Sequence, residues 1–126
     1  MSSGESPSIP WALGLEVGRR FDETWVELLG APIPIDLLGR QAGTPTNARS
    51  DAPARSYERH WTPVHLDFVV ENIDAAVKRV RQAGGMLEGD VQTYPYGRLA
   101  RMADPFGHGF CLLEFHGRGY DEVLSS

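Results

Sequence analysis

Val64-His65-Leu66-Asp67-Phe68-Val69-Val70, followed by Asn72 and the run from Ile73 to Gly85, decides how this chain is read. The seven residues alternate, so Leu66, Phe68 and Val70 share one face of a strand and His65, Asp67 and Val69 share the other. Asn72 is placed to cap a helix over residues 73–83, with Asp74 in its positive first turn. Ile73, Ala76, Val77 and Val80 fall on one helical face, and Lys78, Arg79 and Arg81 lie toward the negative end. Gly84-Gly85 stops the helix, because glycine accepts a left-handed backbone without a Cβ clash. The helix is expected to cover Leu66, Phe68 and Val70, which leaves His65 and Asp67 on the open side of a sheet.

Three more strands are expected after the helix. Met86-Leu87-Glu88 is short, and Arg98–Ala103 follows the turn-forming Tyr94-Pro95-Tyr96-Gly97. Asp104-Pro105-Phe106-Gly107 has the residue order of a tight turn, and Phe110–Phe115 closes the unit as an apolar strand. Placing Glu114 on the open side with Phe110 and Leu112 sends Cys111, Leu113 and Phe115 toward the helix. The expected core is then Leu66, Phe68, Val70, Val77, Val80, Leu113 and Phe115.

This order of elements resembles the second module of the vicinal oxygen chelate superfamily, the glyoxalase/bleomycin-resistance/dioxygenase fold. The resemblance is carried by Trp61–Val70, Ala83-Gly84-Gly85, Asp104–His108 and Cys111–Phe115, roughly half of the chain. It implies an α+β fold of βαβββ modules whose first and last strands supply metal ligands on a concave face. Carried over position by position, those ligands are His65 and Glu114.

The N-terminal half resembles the tail of a first module. Trp11–Gly18 reads as a helix end and the strand after it, and Trp25–Leu29 and Ile33–Leu38 as the last two strands, turned by Gly30-Ala31-Pro32. The first strand and most of the helix have no counterpart, and Gly39 falls where a second carboxylate would stand. The expected organisation is a disordered 1–10 and one glyoxalase-like domain over 11–126. Within it lie an incomplete module (11–40), a linker (41–60) and a complete module (61–116). A linker of this length exceeds ordinary loops, so it is expected to be mobile or functional.

The chain has 126 residues, enough for one core, and a net charge of −5, which is no nucleic-acid footprint. The lone Cys111 forms no internal disulfide and fits a reducing, cytoplasmic setting. No apolar run is long enough to span a membrane.

The cavity is expected to be lined by His65, Asp67, Glu114, Trp25, Trp61, Tyr96, Arg98 and Phe110. His65 and Glu114 suit Zn, Ni, Mn or Fe, but two ligands are too few for a stable site, so no tightly held metal is expected. Arg98 and Arg101 lie near the expected mouth, where an anion could bind. Cys111, pointed at the helix, is expected to be inert.

Two classes of function follow from the resemblance. One is a protein that binds an aromatic or planar small molecule without metal. The other is a metal-dependent lyase, isomerase or dioxygenase using His65 and Glu114. The missing strand exposes a sheet edge, and a two-fold homodimer is the expected remedy.

Overall fold

The computed structural model describes residues 8–124. Of residues 1–10, expected to be disordered, 1–7 lie outside that range, whereas Ser8, Ile9 and Pro10 are ordered by the capped turn that follows. Ser8 caps a single helical turn, α1 (Ile9–Ala12), accepting the Trp11 N–H on its hydroxyl. Three antiparallel strands follow in the order β1 (Glu16–Asp22), β2 (Trp25–Leu29) and β3 (Ile35–Leu38). Asp22 closes the β1–β2 turn by accepting from the backbone and hydroxyl of Thr24.

The second sheet contains β4 (Asp67–Val69), β5 (Met86–Leu87), β6 (Gln92–Tyr94), β7 (Gly97–Ala103) and β8 (Gly109–Phe115). Its order is β4-β8-β7-β5, with β6 paired to β7. β4 and β8 run parallel, with Asp67 opposite Cys111 and Val69 opposite Leu113. The crossover between β4 and the rest of the sheet contains helix α2 (Ile73–Gln82). The strand expected over 64–70 shortens to three residues, since its pairing with β8 runs only from Asp67 to Val69.

Helix α2 follows the sequence closely. The Asn72 side chain accepts the Ala75 N–H, and Ile73, Ala76, Val77 and Val80 are buried. They meet Ala100, Met102, Phe110 and Leu112 of the sheet, with Phe68 and Val70 packed against them. This finding corrects the phase expected for β8. Phe110 and Leu112 face the helix, so Cys111, Leu113 and Phe115 face the open side. The misplacement has a physical cause. Phe110–Leu113 is apolar on both faces, so alternation does not say which side is which, and the charged Glu114 is used on the helix side by the Ile73 N–H rather than on the open face. Two expected core residues also differ, because Leu66 is exposed and Phe115 remains 37% exposed.

The linker folds back on itself. The Gly43 N–H donates to the Arg55 carbonyl, the Arg55 N–H donates to the Thr44 carbonyl, and the Tyr57 hydroxyl donates to the Arg40 carbonyl. Its end is fastened to the β7–β8 turn, where the His60 N–H donates to the Gly107 carbonyl. Gly107 has φ +87°, and a Cβ there would lie 2.4 Å from the Tyr57 carbonyl oxygen, so this crossing requires glycine.

The two sheets are linked through their helices. The Arg79 side chain of α2 donates to the Trp11 and Ala12 carbonyls of α1, and its guanidinium lies 4.4 Å from the Trp11 ring centre. Between the sheets is an apolar cavity of about 930 Å³, walled by Leu28, Ile35 and Leu37 on one side and Leu66, Phe68 and Phe110 on the other. Among the described residues, β3 pairs only with β2 and β4 only with β8, so each has an open edge.

Candidate functional site

One cross-strand row builds the site. Asp67 on β4 lies opposite Cys111 on β8, and Cys111 lies opposite Arg101 on β7. Directly opposed residues share a face, so these three side chains stand together on the open side of the second sheet. With Trp61, His65 and Leu99 they line a pocket of about 320 Å³.

Trp61 is fixed by several contacts. Its indole N–H donates to the Glu88 carboxylate at 2.8 Å, and its ring meets the His65 imidazole edge-on, centres 5.2 Å apart. The Arg59 guanidinium, itself ion-paired with Glu88, lies 4.9 Å from the indole ring. The ring rests on Gly109, where a Cβ would sit 2.5 Å from it. Glycine at the start of β8 therefore admits the indole.

The polar groups in the pocket interact closely. His65 Nε2 lies 3.3 Å from an Asp67 carboxylate oxygen. Burial, then the charge of Asp67 and a hydrogen bond to it, push the Cys111 thiol up to about 11. The thiol is thus protonated at neutral pH and donates to Asp67. Beyond Arg101 the stacked rings of Tyr94 and Tyr96, 5.3 Å apart and nearly parallel, continue the same face. Burial raises the Tyr96 hydroxyl, helped by Tyr120 and Tyr94.

His65, Asp67 and Cys111 offer three donor atoms within 4.8 Å of one another, a group that could hold a divalent ion. Imidazole, carboxylate and thiolate suit a borderline ion such as zinc better than a hard one. Loading would have to displace the thiol proton and tolerate Arg101 alongside.

The structure distributes the sequence-derived candidates unevenly. Trp61, His65 and Asp67 are brought together. Glu114 is on the opposite face, where its Oε1 accepts the Ile73 N–H at 3.0 Å and its Oε2 lies 2.6 Å from His116 Nε2. Those contacts, the backbone N–H first, hold its carboxyl below the usual range. Its role here is at the α2 N-terminus. Arg98, opposite Glu114 in register, pairs with Asp74 on the same side. Phe110 is a core residue that also walls the apolar cavity. Trp25 packs on Phe21 in the first sheet, ring centres 4.0 Å apart. Tyr96 borders the pocket without lining it. Cys111 and Leu99 complete the lining.

A family model described as a glyoxalase-like domain matches residues 12–113. The anthracycline biosynthesis protein DnrV of Streptomyces peucetius is 38% identical over 61 residues, 48% of this chain and 21% of that protein. The chain thus matches about a fifth of that relative's length. Among solved structures, the fosfomycin resistance protein FosX from Listeria monocytogenes superposes with a TM-score of 0.61 at 17% identity, covering 98% of this chain and 100% of its own. A glyoxalase/bleomycin resistance protein from Albidiferax ferrireducens T118 gives a TM-score of 0.57 at 18% identity, covering 86% and 82%. At these identities the two structures speak for the fold alone.

Proposed function

Given that the chain belongs to the glyoxalase-like domain family, we propose that it binds an aromatic or planar small molecule on the open face of its second sheet, without a tightly held metal. The observation that carries this reading is the pocket that places the Trp61 indole beside the polar row Asp67, Cys111 and Arg101. An aromatic edge with a few convergent polar groups is the usual make-up of a small-molecule site. The partial similarity to an anthracycline biosynthesis protein supports a planar, oxygen-rich ligand class. Titration of the purified protein with a planar hydroxyanthraquinone, followed by tryptophan fluorescence, tests the reading. Saturable quenching that Trp61→Ala removes is expected, and absence of any saturable signal would overturn it.

A second reading is a divalent-metal-dependent lyase, isomerase or dioxygenase. The observation that favours it is the His65–Asp67–Cys111 donor group, which replaces the expected pairing of His65 with Glu114. The metal would polarise substrate oxygens, and these three side chains would hold it. Metal analysis of tag-free, dialysed protein separates the two readings. Stoichiometric zinc that Cys111→Ser abolishes would establish the second.

We further propose a cytoplasmic homodimer, supported by the open edges of β3 and β4 and the apolar cavity between the sheets. No described helix is long and apolar enough to cross a membrane.

A further inference from the structure

We infer that the pocket selects ligands carrying an anionic oxygen on a planar ring, an ionised hydroxyl or a carboxylate, and that Arg101 is the residue that sets this preference. The inference rests on the ligand-binding reading above and adds the ligand's charge to it.

Arg101 stands in the pocket row beside Cys111. Five of the eleven arginines are ion-paired, Arg19 with Glu27, Arg49 with Asp51, Arg59 with Glu88, Arg98 with Asp74 and Arg118 with Glu122, and of the remaining six only Arg101 lines this pocket. Arg101 makes no ion pair among the described residues, although it lies one residue across the sheet from a position adjoining Asp67. The Asp67 carboxylate is engaged otherwise, 3.3 Å from His65 Nε2. The side chains around Arg101 are then Leu99 and Cys111 in the pocket and the Tyr94 and Tyr96 phenols beyond it, none of them a carboxylate, and its guanidinium donates to the Tyr94 hydroxyl. A guanidinium is always charged and presents a planar fork of donors that matches a carboxylate or a ring oxygen. Apart from the Tyr94 hydroxyl it has no recorded side-chain partner and no carboxylate counter-charge among the described residues, so its charge is available to a ligand, and the Asp67–His65 pair is left to meet a hydroxyl or N–H on the same ligand.

The test uses the full chain dialysed against EDTA, so that no metal contributes. Anthraquinone-2-carboxylate and its neutral isostere anthraquinone-2-carboxamide are titrated separately and followed by tryptophan quenching and calorimetry. A charge-assisted bond predicts that the carboxylate binds about tenfold or more tightly than the amide, with an advantage that shrinks as salt is added. Arg101→Gln should bring the two affinities together, and Arg101→Lys should restore part of the difference. Because Arg101 is exposed, both variants should melt like the parent. Equal binding of the two probes by the parent, or a preference that survives Arg101→Gln, would overturn the inference and leave the planar-ligand reading standing. Failure of both probes to bind would overturn the two together.

Discussion

Cys111 shows how a single position can be chemically quiet in a polar setting. Raised from 9.0 to about 11, its thiol carries about a hundredfold less thiolate at neutral pH than an unperturbed one. Labelling by a thiol reagent should accordingly be slow in the native protein and fast in denaturant. Asp67→Asn should accelerate native labelling, because Asp67 raises the thiol through its charge and its hydrogen bond. The same group gives stability a pH dependence of definite sign. The folded thiol keeps its proton to higher pH than the unfolded one. Its contribution is therefore complete below about pH 9 and lost as pH rises toward about 11, a loss of order 2–3 kcal/mol at most. Urea melts at a series of alkaline pH values, compared with Cys111→Ala, measure it. Gly109 is the other decisive residue of the pocket. Gly109→Ala forces a methyl to within 2.5 Å of the Trp61 ring, so the indole must leave its seat on β8. The expected result is a shifted tryptophan emission, with the Trp61–Glu88 hydrogen bond lost and a destabilisation of about 1–3 kcal/mol by overpacking.

At the level of elements, helix α2 carries the tightest agreement between sequence and structure. Its cap, its buried face and its end at Gly84 were all legible, because a 3.6-residue period fixes both the type of element and its orientation. Asn72→Ala should cost about 0.5–2 kcal/mol in a chemical melt, the usual value for a lost N-terminal cap. Glu114→Gln should lower stability above the carboxyl's titration range and leave any metal binding untouched, since its carboxylate serves the Ile73 N–H and His116. A depressed carboxyl contributes above its unfolded value and loses that contribution as pH falls through the folded one, so the difference between parent and variant should vanish in acid. β8 was the least legible element. Phe110-Cys111-Leu112-Leu113 is buried on both sides, and the strand's one charged residue, Glu114, serves the α2 N-terminus on the helix side, so it does not mark the open face. A one-residue error in that phase exchanged Glu114 for Cys111 in the site. Asp67 stands on the open face as the alternation of β4 requires, and His65, just before the strand, lines the same pocket. Leu112→Ala, at a fully buried position under α2, should cost about 2–5 kcal/mol in a chemical melt.

For the whole molecule, the contrast between the two sheets governs behaviour. The second sheet has a helix on one face and a closed core. The first has one helical turn for cover, and Val17, Leu29, Leu37 and Leu38 remain exposed. Sedimentation equilibrium at micromolar concentration should report a dimer, and Leu37→Glu, at the wall of the intersheet cavity, should shift it toward monomer. A folded protein that stays monomeric throughout would remove the dimer proposal. The unequal cover of the sheets also sets a hierarchy in time. Amides of β7 and β8 are locked in a buried ladder and can exchange with solvent only when the whole molecule opens. Those of β1 to β3 hang on contacts that break locally, so they should exchange through a cheaper, partial opening. In deuterated buffer the protein should therefore acquire mass in two separate phases: the N-terminal peptides label first, and residues 97–115 hold their protons longest.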